Sequence, residues 1–473
     1  MDNKKAYLAL DKTISTNSWS IKYRSKRFSG GDFELFRAWG SSYDSYSWRA
    51  FECSTNLYVN SMVACFVSRF NAKYFCFKCQ YAKRNAMNYN KKLIQFCKKL
   101  IKTPSLSGQE KECAELVYYE MQKLGYDKVS IDAAGNVIGI LKGGRDRPLV
   151  LFTTHMDHVP PGDHTKWPFG PYSAVLRNGL IYGCGASDAK GALATMVYLP
   201  EALNLQNLNF IATIIVAGVV GEEVGGIGSR VLLDSIPKPD FVILGEASNN
   251  ELRNGNRGRV RLKILFEGSR QHAALASFEQ NAIFAAAKFI LSLKHLQQPG
   301  KKGPSRGNPV RIISYNDAEN VVADSCEVIV DWRINEIEEI KNIINYLKKK
   351  VKGIAEITVP EYQLTTYTKN TFSFTTAQPP FWLPPDDRII IKVKNTLQKL
   401  WGRDIPVKCW TFTTDAGFFA EKGSRVLGFS PGQEDYAHTY NDKISVEKMI
   451  EAWLSYPYII KALEETYFTE IET

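Results

Sequence analysis

The stretch RPLVLFTTHMDHVP, residues 147–160, decides the fold. Its apolar run is continuous rather than alternating, as expected of a strand buried on both faces in a parallel sheet. It ends in a polar turn carrying His155 and Asp157, two residues apart and therefore able to face one side. Two more runs of the same kind follow. NFIATIIVAGVV leads into the turn GEEVGG with Glu222 and Glu223, and DFVILG leads into Glu246 and Ala247-Ser248. Helix-like segments separate them, KGALATMVYLPEALN after Asp188 and GIGSRVLLDS after the Glu pair. Strands alternating with helices predict a mostly parallel α/β sheet, with loops at the strand ends as the place for a site.

Upstream, apolar residues at Leu93, Ile94, Phe96, Cys97, Leu100 and Ile101 predict a helix over 90–102 with a buried stripe. Ser107-Gly-Gln-Glu110 has the spacing of a capping box ahead of a second helix, which Gly125 ends. LRNGLIYGCG reads as a hairpin around Asn178-Gly179. Near Asn256 the pattern changes. RGRVRLKILFEG alternates like a half-exposed antiparallel strand, then a helix is expected at about 279–294, a strand at SCEVIVDWRI, a helix at EIEEIKNIINYLKKK and a strand at GIAEITV. That order describes a small α+β unit. TKNTFSFTTAQPPFWLPPDD, rich in Thr, Pro and aromatics, reads as a linker, and α/β character resumes at RIIIKVKNTLQKLWG. One domain is thus interrupted by another: 87–255 and 369–473 form the first, 256–368 the second.

The net charge of +11 suggests nucleic acid, but its distribution argues otherwise. Residues 1–86 hold 14 Lys+Arg against 6 Asp+Glu, together with 18 of the 57 aromatics, and show no lasting period. The segment reads as an extension without a recognisable fold, disordered or artefactual, ahead of a natural domain start at Met87. The competing reading is a basic, aromatic arm that stacks on nucleic acid. Cys76 and Cys79 offer half a zinc site with no second pair to complete it. Nucleic acid is accordingly not expected as a partner. No apolar run reaches the roughly 20 residues that span a bilayer, so no membrane is expected either. Nine scattered Cys and no secretory signal fit a cytoplasmic protein with reduced thiols.

Chemistry concentrates in His155, Asp188 of GASDAKG, Glu222, Glu223, Glu246 and His438 of DYAHTYND. A carboxylate such as Asp188 can bridge two metals through its two oxygens. His155 and His438 can each give a nitrogen, and Glu223 and Glu246 a further carboxylate to each metal, leaving an open position for water. Adjacent Glu222 and Glu223 do not easily serve one metal, so one remains free to take the water's proton. Asp157 is the nearest group to hold the second nitrogen of His155. His158, His164 and His295 read as structural.

These segments, with WPFGPYSAVLRNGLIYGCGASDAKGA, NRGRV, SRQHAALASFEQNAI, NVVADSCEVIVDWR and SPGQEDYAHTYND, resemble the zinc-dependent exopeptidase and deacylase family of glutamate carboxypeptidase, aminoacylase, acetylornithine deacetylase and succinyl-diaminopimelate desuccinylase. The resemblance spans nearly all of the chain after Met87. It implies a di-zinc catalytic domain interrupted by a lid that often also forms the dimer. One zinc would lie on His155, Asp188 and Glu246, the other on Glu223, Asp188 and His438, with cobalt or manganese as alternatives. It implies Glu222 as the general base, Asp157 behind His155, and a cis peptide after Asp188. His272 would reach an active site, commonly the partner subunit's, and stabilise the oxyanion. Asn320 and Arg333 match lid positions that bind substrate, Arg333 as a carboxylate clamp. Two departures stand out: Cys184 where the family has Arg, and AALASFEQNA after His272 in place of a Ser or Pro with a nearby Gly. The expected activity is hydrolysis of an amide or peptide bond in an N-acyl amino acid or short peptide with a free carboxylate. A degenerate member acting as a binding protein is the alternative, against which the retained ligands and base argue.

Overall fold

The structure is a computed structural model and describes residues 91–472 apart from 298, 299, 301–303, 317, 336–338, 352 and 354. The extension 1–86, the start at Met87 and the Cys76–Cys79 pair lie outside the described residues.

Eight strands form the main sheet. Their spatial order is Lys128–Ile131, Val137–Leu141, Thr213–Val219, Leu149–His155, Phe241–Leu244, Arg425–Gly428, Leu252–Arg253 and Val407–Lys408. The first three are joined antiparallel. Leu149–His155 runs parallel to Thr213–Val219 on one side and to Phe241–Leu244 on the other, and Arg425–Gly428 is parallel to Phe241–Leu244. All seven residues of Leu149–His155 are buried, as its continuous apolar run predicts. Val150 and Phe152 enter one core with the helices Lys91–Lys102, Gly191–Val197 and Val446–Glu472. Leu149 and Leu151 enter a second core, on the opposite face, closed by Leu232 and Phe419. Each such side chain, fully buried, stabilises the fold by about 1.5–3 kcal/mol.

Register then fixes the site. Thr153 stands opposite Ala217 and Leu244, and His155 opposite Val219. Glu222 follows Val219 by three residues, and Glu246 follows Leu244 by two. The turns after these strands therefore emerge at one edge of the sheet. The segment to His438 leaves from the next parallel strand, at Gly428. Asp188 arrives from the hairpin Val175–Arg177/Leu180–Tyr182, whose turn residues Asn178 and Gly179 both have positive φ. Lys443–Ser445 pairs with Leu180–Tyr182, tying the exit from His438 to the entry of Asp188.

A second sheet, wholly antiparallel, has the order Arg306–Tyr315, Ser325–Ile334, Gly258–Glu267, Ala355–Thr358. Gly258–Glu267 alternates buried and half-buried, and Val260, Leu262, Ile264 and Phe266 form a separate core with the helices Ala282–Ser292 and Ile340–Lys350. Strand Arg306–Tyr315 is an edge strand with mostly exposed side chains.

Two local expectations are corrected. The linker reading of 368–387 fails in part: Glu361–Thr365 and Thr371–Thr375 form a hairpin, and Phe381–Trp382 pairs with Gly255–Asn256. The hairpin's turn is anchored elsewhere, Tyr367 Oη donating to the Gly135 carbonyl and Asn370 to that of Ala133. The capping box also fails. The helix Lys111–Lys123 starts after Glu110 with no side-chain cap bond, and Ser107 Oγ donates to Asp157 instead. Among the described residues no helix is long and apolar enough to cross a membrane.

Candidate metal centre

Asp188 lies between two histidines. Its Oδ1 is 3.0 Å from His155 Nε2 and its Oδ2 is 3.2 Å from His438 Nε2. Glu246 Oε1 is 3.8 Å from His155 Nε2, and Glu223 Oε1 is 3.1 Å from His438 Nε2. One carboxylate thus divides the set into two halves, His155 with Glu246 and His438 with Glu223. One donor atom each from His155, Asp188 and Glu223 falls within 4.8 Å, and so does one each from His155, Glu222 and Glu246. Glu222 therefore stands as near to His155 and Glu246 as a ligand would, which is also where a base must stand to reach a water between metals. The peptide after Asp188 is cis.

Charge explains why this set suits cations. Five carboxylates, Asp157, Asp188, Glu222, Glu223 and Glu246, face two imidazoles. Burial pushes Glu222 well above the usual carboxyl range, with Glu246 adding to the effect, and raises Glu246 itself to about 8. Burial also raises Glu223. Burial would raise Asp188 too, but His155 and His438 overcome it and hold it well below the ordinary value. Burial would lower His155, yet its bonds to Asp157 and Asp188 win and hold it well above the ordinary histidine value. Hydrogen bonds to Asp188 and Glu223 push His438 up to about 10. Such an excess of buried carboxylate is costly unless neutralised, and divalent cations neutralise it. The donors fit two metal ions with mixed nitrogen and oxygen ligands.

Asp157 does more than sequence spacing suggests. His155 Nδ1 donates to the Asp157 backbone carbonyl at 2.9 Å, with the carboxylate Oδ1 farther away at 3.5 Å. That carboxylate also accepts the amides of Glu222 and Glu223 and the hydroxyl of Ser107. The turn carrying the Glu pair needs its glycines: Gly221 has φ +62, and at Gly226, φ +71, a Cβ would sit 2.2 Å from Asp415 Oδ1.

Residues beyond the sequence-derived set hold the loops together. Asp442 accepts the amides of Ser187 and Ala186 at 2.9 and 3.0 Å, locking the Asp188 loop to the His438 loop, and burial raises it to about 8. Lys190 is fully buried and donates to the carbonyls of Leu100 and Thr103. Both lay inside quoted motifs, so their positions were in view although their partners were not. His158 is satisfied locally, Nδ1 donating to Val159 O and Nε2 accepting from Ser105, and burial lowers it to about 4. A cavity of about 190 Å³ adjoins Asp188 and His438, walled by Pro160, Pro161, Trp167, Tyr440 and Cys184.

The lid residues stand apart. His272 is exposed and paired with Val321, Ala273 donates to the Asn320 carbonyl, and Ala274 donates to His272 Nδ1. His272 and Asn320 are thus neighbours on the lid, and their contacts are local. Arg333 gives Nε to Asp331 at 2.7 Å and Nη1 to Thr413 at 3.3 Å, spanning from the lid to the loop before Asp415.

The model of peptidase family M20/M25/M40 matches residues 151–461. The chain belongs to that family. The match takes in the second sheet and every residue of the two-histidine centre. This M20 chain is 30% identical over 369 residues to the uncharacterized protein YgeY of Escherichia coli K12, covering 76% of this chain and 91% of YgeY. Among solved structures, the aminopeptidase PepT of Bacillus cereus superposes with a TM-score of 0.63 at 22% identity, over 79% of this chain and 98% of PepT. A tripeptidase of Staphylococcus aureus gives 0.64 at 21%, over 79% and 98%. YXEP of Bacillus subtilis, a dinuclear metal-binding peptidase of the M20 family, gives 0.61 at 15%, over 80% and 99%. These likenesses support the fold: an α/β domain with a mostly parallel sheet and a separate smaller sheet domain. Membership makes the chain a hydrolase of a metallopeptidase family.

Proposed function

We propose that this M20 chain is a di-zinc amidohydrolase that cleaves an amide or peptide bond in an N-acyl amino acid or short peptide bearing a free carboxylate. The observation that carries the reading is Asp188, with one oxygen toward each histidine. His155, Asp188 and Glu246 would hold one zinc, and Glu223, Asp188 and His438 the other. When bound, the zinc pair supplies Lewis acidity and lowers the pKa of water.

The chain's own groups do the rest. Glu222 takes the proton of the attacking water and returns it to the leaving amine; it stands beside His155 and Glu246, within reach of that water. Asp157 fixes the His155 ring and the backbone of the Glu pair together. His272 donates to the oxyanion and Asn320 lies beside it, while Arg333, held through Nε by Asp331 and through Nη1 by Thr413, offers Nη2 to the substrate carboxylate.

His272 is exposed on the lid, which supports a homodimer in which it serves a second copy's centre. The edge strand Arg306–Tyr315 and the neighbouring helix expose Leu291, Val310 and Ile312 at 68%, 58% and 51%, an apolar face suited to such a contact. Cys97, Cys113, Cys184 and Cys326 are free thiols, which supports a reducing, cytoplasmic setting.

The test is metal analysis of the pure protein, followed by turnover of the zinc-loaded form on a panel of dipeptides and N-acyl amino acids. Stoichiometric zinc with release of a free amino acid is expected. Zinc binding without turnover on any of them would leave a binding protein.

A further inference from the structure

We propose that the loop Ser105–Glu110 belongs to the hydrolytic machinery at one remove, with Glu110 and Ser107 as positioning residues for the turn that carries Glu222 and Glu223. The proposal rests on the division of labour given above, Glu222 as base and Glu223 as ligand.

Three successive amides of that turn are donated to two buried carboxylates. Gly221 N–H goes to Glu110 Oε1 at 3.1 Å, Glu222 N–H to Asp157 Oδ1 at 3.2 Å, and Glu223 N–H to Asp157 Oδ2 at 3.2 Å. Ser107 Oγ donates to the same Asp157 Oδ2 at 2.7 Å. Ser105, at the start of the loop, is tied down as well, its Oγ donating to the Met156 carbonyl and its amide to His158 Nε2. The loop is thus bonded to the turn after one strand and, through Asp157, to the turn after the next.

Neither packing nor capping accounts for Glu110. Its side chain is fully buried, Oε2 has no hydrogen-bond partner among the described residues, and Asp157 is close enough to add repulsion. Two carboxylates buried together are costly. The helix that starts at Lys111 takes no side-chain bond from Glu110 in return. What Glu110 does hold is the first amide of a turn rich in glycine, at 221, 225 and 226, whose next two amides Asp157 holds. Precision matters there because the two neighbouring side chains diverge, Glu223 to His438 and Glu222 to the side of His155 and Glu246. A small rotation of this backbone moves both carboxylates away from their places.

The experiment uses the full-length, zinc-loaded protein and four variants: Glu110→Ala, Glu110→Gln, Ser107→Ala, and Val117→Ala as a control in the buried face of the following helix. Glu110→Ala is expected to lower kcat by roughly 10–100-fold, the scale of a sub-ångström to ångström misplacement, with KM within about twofold. It should also weaken zinc binding in a chelator competition. Glu110→Gln keeps an oxygen for the Gly221 amide and should recover most of both. Ser107→Ala should move kcat and zinc affinity in the same direction by less, and it serves if Glu110→Ala does not fold. Val117→Ala should lower the melting temperature and leave kcat unchanged. The proposal is overturned if Glu110→Ala or Ser107→Ala behaves like Val117→Ala, or if Glu110→Gln is no better than Glu110→Ala. If the wild type binds zinc but turns over nothing, the functional reading fails, and zinc affinity across the variants still decides whether the loop holds the turn.

Discussion

The metal centre and the lid supply residues of the same chemical kinds, yet the structure buries His155, Asp188 and Glu246 of the first, leaving His438 exposed, and exposes His272 of the second. At the centre, His155, Asp188 and Glu246 are at most 9% exposed and rest on turns that directly follow paired strands or are bonded to them. On the lid, His272 lies on an exposed loop and bonds only to its neighbours. The first arrangement brings its candidate ligands together within one chain, whereas the second is a surface loop whose contacts are local. Sheet register can place several ligands in advance, but a group that must approach the substrate has to be left mobile or supplied from outside.

The sharpest break of that comparison is Asp188→Ala. If the centre is one unit around a shared carboxylate, metal analysis should fall from about two ions per chain, the usual complement of such pairs, to none, with loss of activity. A variant that keeps both metals removes Asp188 as the bridge. Next in size, Glu222→Gln should keep its metal and lose on the order of 10²–10⁴ in turnover, while Glu223→Gln should lose metal affinity. Equal metal loss in both would end the separation of their roles.

For the lid, His272→Ala should lower kcat by about 10²–10³, the weight of one oxyanion donor, with little change in KM. Mixing it with inactive Glu222→Gln should restore part of the activity if sites are shared between copies. No recovery after verified subunit exchange would return His272 to its own chain or remove it from catalysis. A smaller effect separates the regions by pH. His155 and His438 are raised, His438 to about 10, so both hold protons at neutral pH in the metal-free chain. Zinc must displace those protons, so binding should release them and weaken as pH falls. Calorimetry in buffers of different ionisation enthalpy measures the release, and its absence would show that the histidines are not protonated before zinc binds. The smallest effect is expected outside both regions: a chain beginning at Met87 keeps every candidate ligand, Glu222 and the whole second sheet, and should match the full-length kcat. A folded but inactive truncation would contradict this.

The sheet was legible in the sequence because parallel strands buried on both faces leave continuous apolar runs, as in Leu149–His155 and Thr213–Val219, and because each candidate ligand sits in a polar turn between such elements. What stayed hidden was long-range pairing. Ser107 and Glu110 have the spacing of a local cap, yet their side chains bond to residues 50 and 111 positions away. The hairpin strand Thr371–Thr375 was masked by the Thr, Pro and aromatic composition around it. The edge strand Arg306–Tyr315, with Pro309 at an irregularity in its ladder, lacks the alternation of buried and exposed residues that marks a strand. The candidate residues could be read one by one and the resemblance implied their division by Asp188, but the distances from its two oxygens to the two histidines required coordinates.

The pairing of Gly255–Asn256 with Phe381–Trp382 has a consequence for evolvability. The chain leaves the metal-binding body and re-enters it on two adjacent antiparallel strands, a spacing of about 5 Å. Everything between those strands is an insertion into a closed loop, the topology that tolerates exchange of whole modules. Length and sequence can drift within the second sheet while the body's register stays fixed, the hairpin at 361–375 excepted, since Tyr367 and Asn370 tie it to Gly135 and Ala133. Changes in the second sheet and changes in the body's strands can thereby be selected separately within a single polypeptide.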